Sequence, residues 1–451
     1  MLKFFLLAIF ILVHLAKATV YSVDSGYVVE LTQVIHRHGA RSPLPNFNKE
    51  LICGYEYPCG YLNNVGMSML RAVGAYVRHR YNDPSIVKKP FFPGRRYNAS
   101  LVYSRSTAKQ RTIQSSSAFL SGVFPDFSLP VPYTVELNRD TLLNPDVYPS
   151  VISRLLDAKA QKALLNPIVD SYFTWKQLEE VAAEALTTES CQDYDLRYEC
   201  VVRLYDIASC YKATNKLDDM PKLKMALEGA RAVNTRRFSY LFGYDPDNEL
   251  DRIQGTVAHK LVDEIVENMY SYLSSPSYRM YEYSTHDSML TPLGITLGDY
   301  SEGTIDVPFA QTYLIELLQN VADKTYHVRV LRGFPQENEA EEDREFSFVQ
   351  TDIKWYCMTQ GNKAYIPINN ICPLQDFVRY INSTKPDTQG GFCVIQKDQY
   401  ERLECPASVE DSLPLTRFCQ QYRTVCPREA CPEGLVLGAA DLQCYPVVTS
   451  S

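Results

Sequence analysis

Basic residues are in the minority in this chain. Its 45 lysines and arginines face 53 aspartates and glutamates, which gives a formal net charge of −8 at pH 7. Proteins that bind nucleic acid or an anionic membrane surface concentrate positive charge, so this balance argues against both as the main partner. A small anionic substrate is still compatible with it, because the field inside a pocket depends on the few charged groups that line it.

Long hydrophobic runs are also missing. The N-terminal apolar run, Phe4–Leu15, is shorter than the roughly 20 residues that a membrane-spanning helix needs, and no later stretch reaches that length. With Lys3 before it and Ala16-Lys17-Ala18 after it, the run predicts a secretory signal over residues 1–18. We therefore expect a mature chain that begins near Thr19, has no integral membrane segment and is secreted or lysosomal.

No C-x2-C repeat occurs among the cysteines, which argues against a zinc site and favours disulfides. The thirteen cysteines are Cys53, Cys59, Cys191, Cys200, Cys210, Cys357, Cys372, Cys393, Cys405, Cys419, Cys426, Cys431 and Cys444. Cys53 and Cys59 are close enough to join, and the last eight predict a disulfide framework whose connectivity is open among on the order of 100 pairings. The odd total leaves one thiol free or paired between chains.

Two sequons, Asn98-Ala99-Ser100 and Asn382-Ser383-Thr384, fit a secreted glycoprotein.

The most informative segment is residues 34–43, Val-Ile-His-Arg-His-Gly-Ala-Arg-Ser-Pro. It follows an apolar pattern over Tyr27–Ile35 that predicts a buried or half-buried strand. We expect the strand to end by Gly39 and Pro43, because glycine permits a positive φ and proline cannot donate to a ladder. The polar residues of this segment are thus placed at the carboxyl end of a strand, where open α/β sheets bind ligands.

Those polar residues are Arg37, His38 and Arg41. The planar guanidinium of arginine is suited to bind phosphate oxygens through paired hydrogen bonds. An imidazole between two guanidinium groups is suited to attack phosphorus. The segment therefore predicts phosphoryl transfer through a phosphohistidine.

The segment resembles the RHGxRxP signature of the histidine acid phosphatases, the phosphatase branch of the phosphoglycerate-mutase-like fold. Its fixed positions here are Arg37, His38, Gly39, Arg41 and Pro43. Tyr103–Thr112 is similar to the family's second segment, with Arg111 at the place of a third phosphate-binding arginine, and Ser284–Asp287 is similar to its His-Asp pair. The resemblance covers roughly residues 27–393.

The resemblance implies a role for each of these side chains. His38 is expected to be the nucleophile that forms the phosphohistidine, and Asp287 the general acid that protonates the leaving alkoxide. The expected ligands of the phosphate oxygens are Arg37, Arg41, Arg111 and His286, the last in its protonated form. Water is expected to attack the phosphoenzyme with help from Asp287. Because the acid must hold a proton, we expect activity at acidic pH.

A metal site is the competing interpretation of His36 and His38. Residues two apart share one face of a strand, so two ligands are conceivable. A third ligand with suitable spacing is not evident, and the family needs no metal. We therefore predict neither a metal nor another cofactor, and expect His36 to be a packed or hydrogen-bonded strand residue.

The predicted fold class is α/β, a phosphoglycerate-mutase-like open mixed sheet with flanking helices. Helical spacing of apolar residues predicts a helical cap inserted between two strands of this sheet, with helices at Val151–Leu165, Trp175–Leu186, Asp218–Leu241 and Gly255–Leu273. The predicted intervals are a signal at 1–18, the first part of the core at 19–136, the cap at 137–276, the second part of the core at 277–393 and a cysteine-rich C-terminal extension at 394–451.

The predicted function is an acid phosphatase acting on small phosphate monoesters. An inositol-phosphate (phytase-like) phosphatase is the enzymatic alternative, but the cap is not markedly basic and the His286-Asp287 pair has the acid-phosphatase form. A lipid phosphate substrate also stays open. A secreted non-catalytic protein that reuses the fold for binding is the alternative of another class, and the intact catalytic set argues against it. The family commonly dimerises, so a homodimer is expected from the resemblance alone.

Overall fold

The computed structural model describes residues 26–44, 53, 57–83, 90–126, 130–338, 345–406 and 414–447. The predicted signal lies outside the described residues. The strands are β1 (Tyr27–Arg37), β2 (Val102–Thr107), β3 (Tyr133–Val135), β4 (Met280–Thr285), β5 (Thr312–Asn320), β6 (Tyr326–Glu337), β7 (Phe346–Thr351), β8 (Cys357–Met358), β9 (Ala364–Tyr365), β10 (Ile371–Pro373), β11 (Leu435–Leu437) and β12 (Cys444–Pro446).

The described residues also form the α-helices of the fold. They are α1 (Asn64–Asn82), α2 (Gln110–Val123), α3 (Pro149–Leu156), α4 (Ala158–Tyr172), α5 (Trp175–Glu184), α6 (Arg197–Ala213), α7 (Pro221–Phe242), α8 (Glu249–Gln254), α9 (His259–Ser274), α10 (Asp287–Thr296), α11 (Glu302–Ile305), α12 (Leu374–Asn382), α13 (Lys397–Arg402) and α14 (Arg417–Val425). None of the helices described is long and apolar enough to cross a membrane.

A mixed sheet of eight strands forms the centre of the fold, in the order β10-β6-β5-β1-β4-β2-β3 with β7 on β6. The pairs β1/β4, β4/β2 and β2/β3 are parallel, whereas β1/β5 and β5/β6 are antiparallel. The predicted α/β class with an open mixed sheet and flanking helices is confirmed. Parallel pairing of β1 with β4 sets Arg37 opposite Thr285, so the residues that follow these two strands emerge at one edge of the sheet.

Helices cover both faces of the sheet. Val34 of β1 lies in a buried cluster with α1 and α2, whereas Ile35 lies in a second cluster with α9, α10 and α12. Successive side chains of a strand point to opposite faces, so two neighbouring apolar residues supply both cores. Burying each such side chain stabilises the fold by roughly 1.5–3 kcal/mol.

The chain between β3 and β4 is helical, from α3 to α9, and much of it is organised around its own buried cluster of residues from α4 to α7. The helix predicted over Val151–Leu165 is in fact two helices. Asp157 separates them and accepts a hydrogen bond from the amide of Ala160, which caps the second helix. Helix α9 lies within the predicted cap interval, 137–276, but it packs on the core beside the sheet. The bounds of the cap stay a prediction.

Six disulfides form among the described cysteines, and the predicted framework is confirmed. They are Cys53–Cys59, Cys191–Cys200, Cys357–Cys372, Cys393–Cys426, Cys405–Cys419 and Cys431–Cys444. The thirteenth cysteine, Cys210, is a buried free thiol. Residues toward the C terminus pack against α3 and the residue before it. The rings of Phe392 and Tyr148 stack with centroids 3.8 Å apart, and Arg402 Nε donates to Ser153 Oγ at 3.1 Å.

Candidate active site

The carboxyl ends of β1 and β4 bring two histidines together. The amide of His38 donates to the carbonyl of Thr285 at 3.0 Å, which continues the strand pairing by one residue. His286 then follows Thr285, and the imidazole centroids of His38 and His286 lie 5.5 Å apart in an edge-to-face arrangement. Both side chains are buried, His38 at 2% and His286 at 6% exposure. The predicted nucleophile and the predicted fourth phosphate ligand therefore share one pocket.

Gly39 is required at its position for a reason other than the one expected. It does not have a positive φ; instead, a Cβ built on it would lie 2.3 Å from the carbonyl oxygen of Gly66. A Cβ on Gly66 would in turn lie 2.1 Å from the carbonyl oxygen of Ala40. The loop after β1 can thus pack directly on the start of α1 only because both positions are glycine, and this packing fixes the backbone that holds His38.

One ring nitrogen of His38 is committed to the backbone. Nδ1 lies 2.9 Å from the carbonyl oxygen of Gly39, and a carbonyl can only accept, so Nδ1 holds the hydrogen and Nε2 keeps a free lone pair. Burial, reinforced by the positive charges of Arg111 and Arg37, holds the pKa of His38 well below its ordinary value. The neutral imidazole, which is the form that can act as a nucleophile, therefore persists to lower pH than in an ordinary histidine.

The three predicted phosphate-binding arginines surround this imidazole. The guanidinium groups of Arg37 and Arg41 lie over the ring of Phe309, at 4.4 and 5.8 Å from its centroid, and that ring lies 5.8 Å from the His38 ring. Arg111 Nη2 approaches His286 Nδ1 at 3.5 Å. The Nε atoms of Arg37, Arg41 and Arg111 are all buried and have no partner within the described part of the chain. Buried donors without acceptors are costly, so this arrangement suits an oxyanion.

Positive charge in the pocket affects its other titratable groups. Burial, followed by the charge of Arg41, lowers the pKa of Arg111 to about 10. Burial and the charges of Arg111 and Lys109 also hold the pKa of His286 well below its ordinary value, while its Nε2 lies 3.0 Å from Thr107 Oγ1. Both causes act against the expected protonated form of His286, and an anion bound beside it would favour that form.

Asp287 occupies the more open side of the pocket. It is the first residue of α10, where its Oδ1 accepts from the amide of Ser288 at 3.0 Å. Its Oδ2 pairs with Arg37 Nη2 at 2.7 Å, with side-chain exposures of 29% for Asp287 and 11% for Arg37. The carboxyl group therefore lies beside Arg37 and is more exposed to solvent than that arginine.

His36 is directed away from this pocket. Its Nε2 donates to Glu282 Oε1 at 2.6 Å, and both side chains are fully buried. Glu282 Oε2 in turn accepts from Ser104 and Ser116. The two imidazoles therefore have separate partners, Glu282 for His36 and the Gly39 carbonyl for His38. The described residues include no group of three or more side chains arranged to hold a metal ion.

Comparison with known proteins agrees with this arrangement. Residues 28–332 match the profile of the histidine phosphatase superfamily, branch 2. The chain belongs to this superfamily. The resemblance found in the sequence and the predicted class of enzyme, a phosphatase, are thereby confirmed.

Curated relatives of this histidine phosphatase include two acid phosphatases. Lysosomal acid phosphatase of Xenopus laevis is 25% identical over 366 residues, 76% of this chain and 74% of the relative. Prostatic acid phosphatase of Homo sapiens is 29% identical over 308 residues, 64% of this chain and 74% of the relative. Among solved structures, the phytase of Citrobacter braakii has a TM-score of 0.57 at 17% identity and covers 79% of this chain and 98% of its own, a likeness of fold.

Several residues around the pocket of this histidine phosphatase had not been predicted from its sequence. Phe309 forms an apolar wall beside His38, and Thr107 contacts His286. Asp206 and Cys210, both on α6, contact Arg41. No local pattern distinguishes any of the four in the sequence, because each acts through contacts with residues far away along the chain.

Proposed function

We propose that this histidine phosphatase hydrolyses phosphate monoesters through a phosphohistidine on His38. The observation that supports this most directly is the pairing of a free Nε2 lone pair with buried, unpartnered arginine Nε–H groups in the same pocket. The lone pair supplies a nucleophile, and the arginine donors supply charge for the non-bridging oxygens of a phosphoryl group. A pocket built only for binding an anion would not need the deprotonated imidazole.

The reaction takes place in two displacements. His38 Nε2 attacks phosphorus, the P–O bond to the alcohol breaks, and Asp287 gives its proton to the departing oxygen. Water then attacks the phosphohistidine, Asp287 accepts a proton from that water, and the P–N bond breaks to release inorganic phosphate. Arg37, Arg41 and Arg111 bind the non-bridging oxygens throughout, and His286 joins them once the phosphate charge favours its protonation.

The ion pair of Asp287 with Arg37 supports activity at acidic pH. Asp287 must be protonated to act as an acid, and protonation removes its attraction for the guanidinium. Acid therefore supplies the catalytic proton and, in the same event, frees Arg37 to bind the phosphate. In its ionised form the carboxyl group lacks the proton and also competes with the substrate for this arginine.

Small monoesters are the substrates that the pocket charges favour. Arg41 is paired with Asp206, and Arg37 is paired with Asp287 until that carboxyl group is protonated, so acidic side chains offset part of the guanidinium charge before substrate enters. A polyanion such as an inositol polyphosphate requires a larger excess of positive charge. A panel that compares a simple alkyl phosphate with phytate tests this, and faster hydrolysis of phytate would select the phytase-like alternative.

The secretory pathway is the proposed location. Six disulfides are typical of an oxidising compartment, which fits either secretion or the lysosome. The sequon asparagines Asn98 and Asn382 are both exposed, so both are open to glycosylation. Glycosidase treatment of the protein secreted by a eukaryotic host, followed by mass measurement, checks both statements.

The deciding experiment is hydrolysis of an aryl phosphate by the purified protein from acidic to alkaline pH, in the presence of a chelator. Acidic, chelator-resistant turnover that is lost in His38→Ala is expected, together with a radiolabelled phosphoenzyme that only the parent forms. His79→Ala, which removes a 60% exposed histidine on α1, is the matched control and should be fully active. Activity abolished by the chelator would revive the metal site, and no turnover at any pH would favour a binding protein.

A further inference from the structure

Arg41 is the phosphate-pocket arginine with the most elaborate set of partners. Its Nη2 donates to Asp206 Oδ1 at 2.7 Å, and its Nη1 donates to the Ser42 carbonyl at 3.1 Å and to Cys210 Sγ at 3.4 Å. A guanidinium has five N–H donors, so these contacts leave the Nε hydrogen and one Nη2 hydrogen. The Nε atom is buried and has no partner among the residues that the structure describes. The contacts therefore leave one edge of the guanidinium available for a ligand.

Asp206 holds more than the side chain of Arg41. Its second oxygen, Oδ2, accepts from the amide of Leu44 at 2.8 Å, three residues further along the same loop. Burial by itself would raise the pKa of Asp206, but the adjacent Arg41 guanidinium holds that pKa below its ordinary value. The ionised form of Asp206 is thus favoured, and its two oxygens tie both the side chain of Arg41 and the backbone of Leu44 to α6.

We infer that Asp206 is a positioning residue: it orients Arg41 so that its free edge meets the phosphate. This rests on the proposed function, since it assigns the phosphate to the pocket. Asp206 comes from the helical segment between β3 and β4, whereas Arg41 follows β1. Through this contact, the orientation of Arg41, which binds the phosphate, depends on the position of α6 relative to the sheet. Asp206 itself touches neither the imidazole of His38 nor, by this inference, the reacting atoms.

Charge and orientation act in opposite directions here, and this makes the role measurable. If the carboxylate only offset the charge of Arg41, removing it would strengthen phosphate binding. If it orients the guanidinium, removing it weakens phosphate binding, because Arg41 gains freedom and loses the preset edge. Charge-assisted hydrogen bonds are about twice as strong as neutral ones, so we expect orientation to dominate.

The test compares Asp206→Asn and Asp206→Glu with the parent enzyme and with Asp170→Asn. Asp170 is the matched control, because it makes a two-bond pair with Arg197 in the same helical layer, away from the pocket. Asp206 accepts from Arg41 through Oδ1 and from Leu44 through Oδ2, and asparagine replaces one of these two oxygens by an NH2 group that cannot accept, so one of the two contacts is lost. Glu keeps the charge but places it one methylene further out, and it covers the case in which the Asn variant does not fold.

The measurements are the inhibition constant for inorganic phosphate, KM and kcat on an aryl phosphate, and the dissociation constant for phosphate by calorimetry. We expect Asp206→Asn to raise the phosphate constants and KM about tenfold with a smaller change in kcat, and Asp206→Glu to raise them several-fold. Asp170→Asn should match the parent. Tighter phosphate binding in Asp206→Asn, or constants within twofold of the parent in both variants, would overturn the inference.

Calorimetry separates this inference from the proposed function. A parent enzyme that binds phosphate but hydrolyses no ester would refute the proposed function, and the dissociation constants of the variants would still test the orientation of Arg41. A parent enzyme that binds no phosphate would overturn both.

Discussion

Replacing Asp287 by Asn changes two properties of the pocket at once. The amide cannot donate a proton to a leaving oxygen, and it carries no charge to compete for Arg37, whose Nη2 lies 2.7 Å from Oδ2. The variant should therefore lose rate on poor leaving groups and gain affinity for phosphate. A fall in rate together with tighter phosphate binding is an unusual result for one substitution, so it tests both parts of the role proposed for Asp287.

The size of each effect follows from the chemistry and the exposure of the pair. General acid catalysis is worth about 10²- to 10⁴-fold for a leaving group that departs poorly as an anion. A phenol, with a pKa of about 10, is a much stronger acid than an aliphatic alcohol and departs more readily as an anion, so an aryl ester needs the general acid far less. The ion pair is partly exposed and worth about 1 kcal/mol at most, which is roughly 2- to 5-fold in affinity.

The assay is kcat on an alkyl and an aryl phosphate at acidic pH, with the inhibition constant for inorganic phosphate measured at pH 7. Asp287→Asn should lower kcat on the alkyl ester by at least 100-fold, lower kcat on the aryl ester less than tenfold, and lower the phosphate constant. Asp251→Asn is the control, since Asp251 makes a pair with Arg154 of the same 2.7 Å length outside the pocket. Equal losses on both esters would refute the acid role, and weaker phosphate binding would refute the shared use of Arg37.

Two further predictions concern pH. Burial and the charge of Arg111 hold the pKa of His38 below its ordinary 6.5, so the acid limb of kcat/KM should lie well below pH 6.5. Removing that charge in Arg111→Gln should move the limb to higher pH. A limb that does not move would contradict the assignment of the limb to His38. Glu316 is buried between Arg80 and Arg329, and although burial by itself would raise its pKa, the two arginines lower it from 4.5 to about 2. The stabilisation that ionised Glu316 gives the fold is complete above pH 4.5 and is lost as the pH falls toward 2. In urea unfolding, Glu316→Gln should therefore be less stable than the parent by about 3 kcal/mol at pH 7 and by a smaller amount at pH 3. The same difference in stability at both pH values would exclude this linkage.

The local features of the pocket could be predicted from the sequence because neighbouring residues determine them. The apolar run before Arg37 predicts β1, and the chain itself places Arg37, His38 and Arg41 in the loop that follows. Arg111 and His286 were assigned to the site from the resemblance to the histidine acid phosphatases, and in the structure each comes shortly after a strand, β2 and β4 respectively. Apolar spacing also predicts several helices between β3 and β4, but it joined α3 and α4 into one helix and missed α6, which carries Asp206.

Other features depended on contacts that no local pattern encodes. The need for glycine at position 39 comes from the approach of Gly66, and the break at Asp157 comes from a capping hydrogen bond within a continuous apolar pattern. Disulfide connectivity is of the same kind, because spacing alone leaves the partners of eight C-terminal cysteines open. In each case the deciding atoms are brought together only by folding.

The chemical groups of this histidine phosphatase, their order along the chain and the strand ends that present them are encoded locally in the sequence. The charge state and orientation of those groups depend on the folded chain. The free Nε2 of His38 depends on burial and a backbone carbonyl, the position of Arg37 depends on Asp287, and the edge that Arg41 presents depends on Asp206. Electrostatic and hydrogen-bonding environments are set by distance in space, and distance along the chain does not predict them.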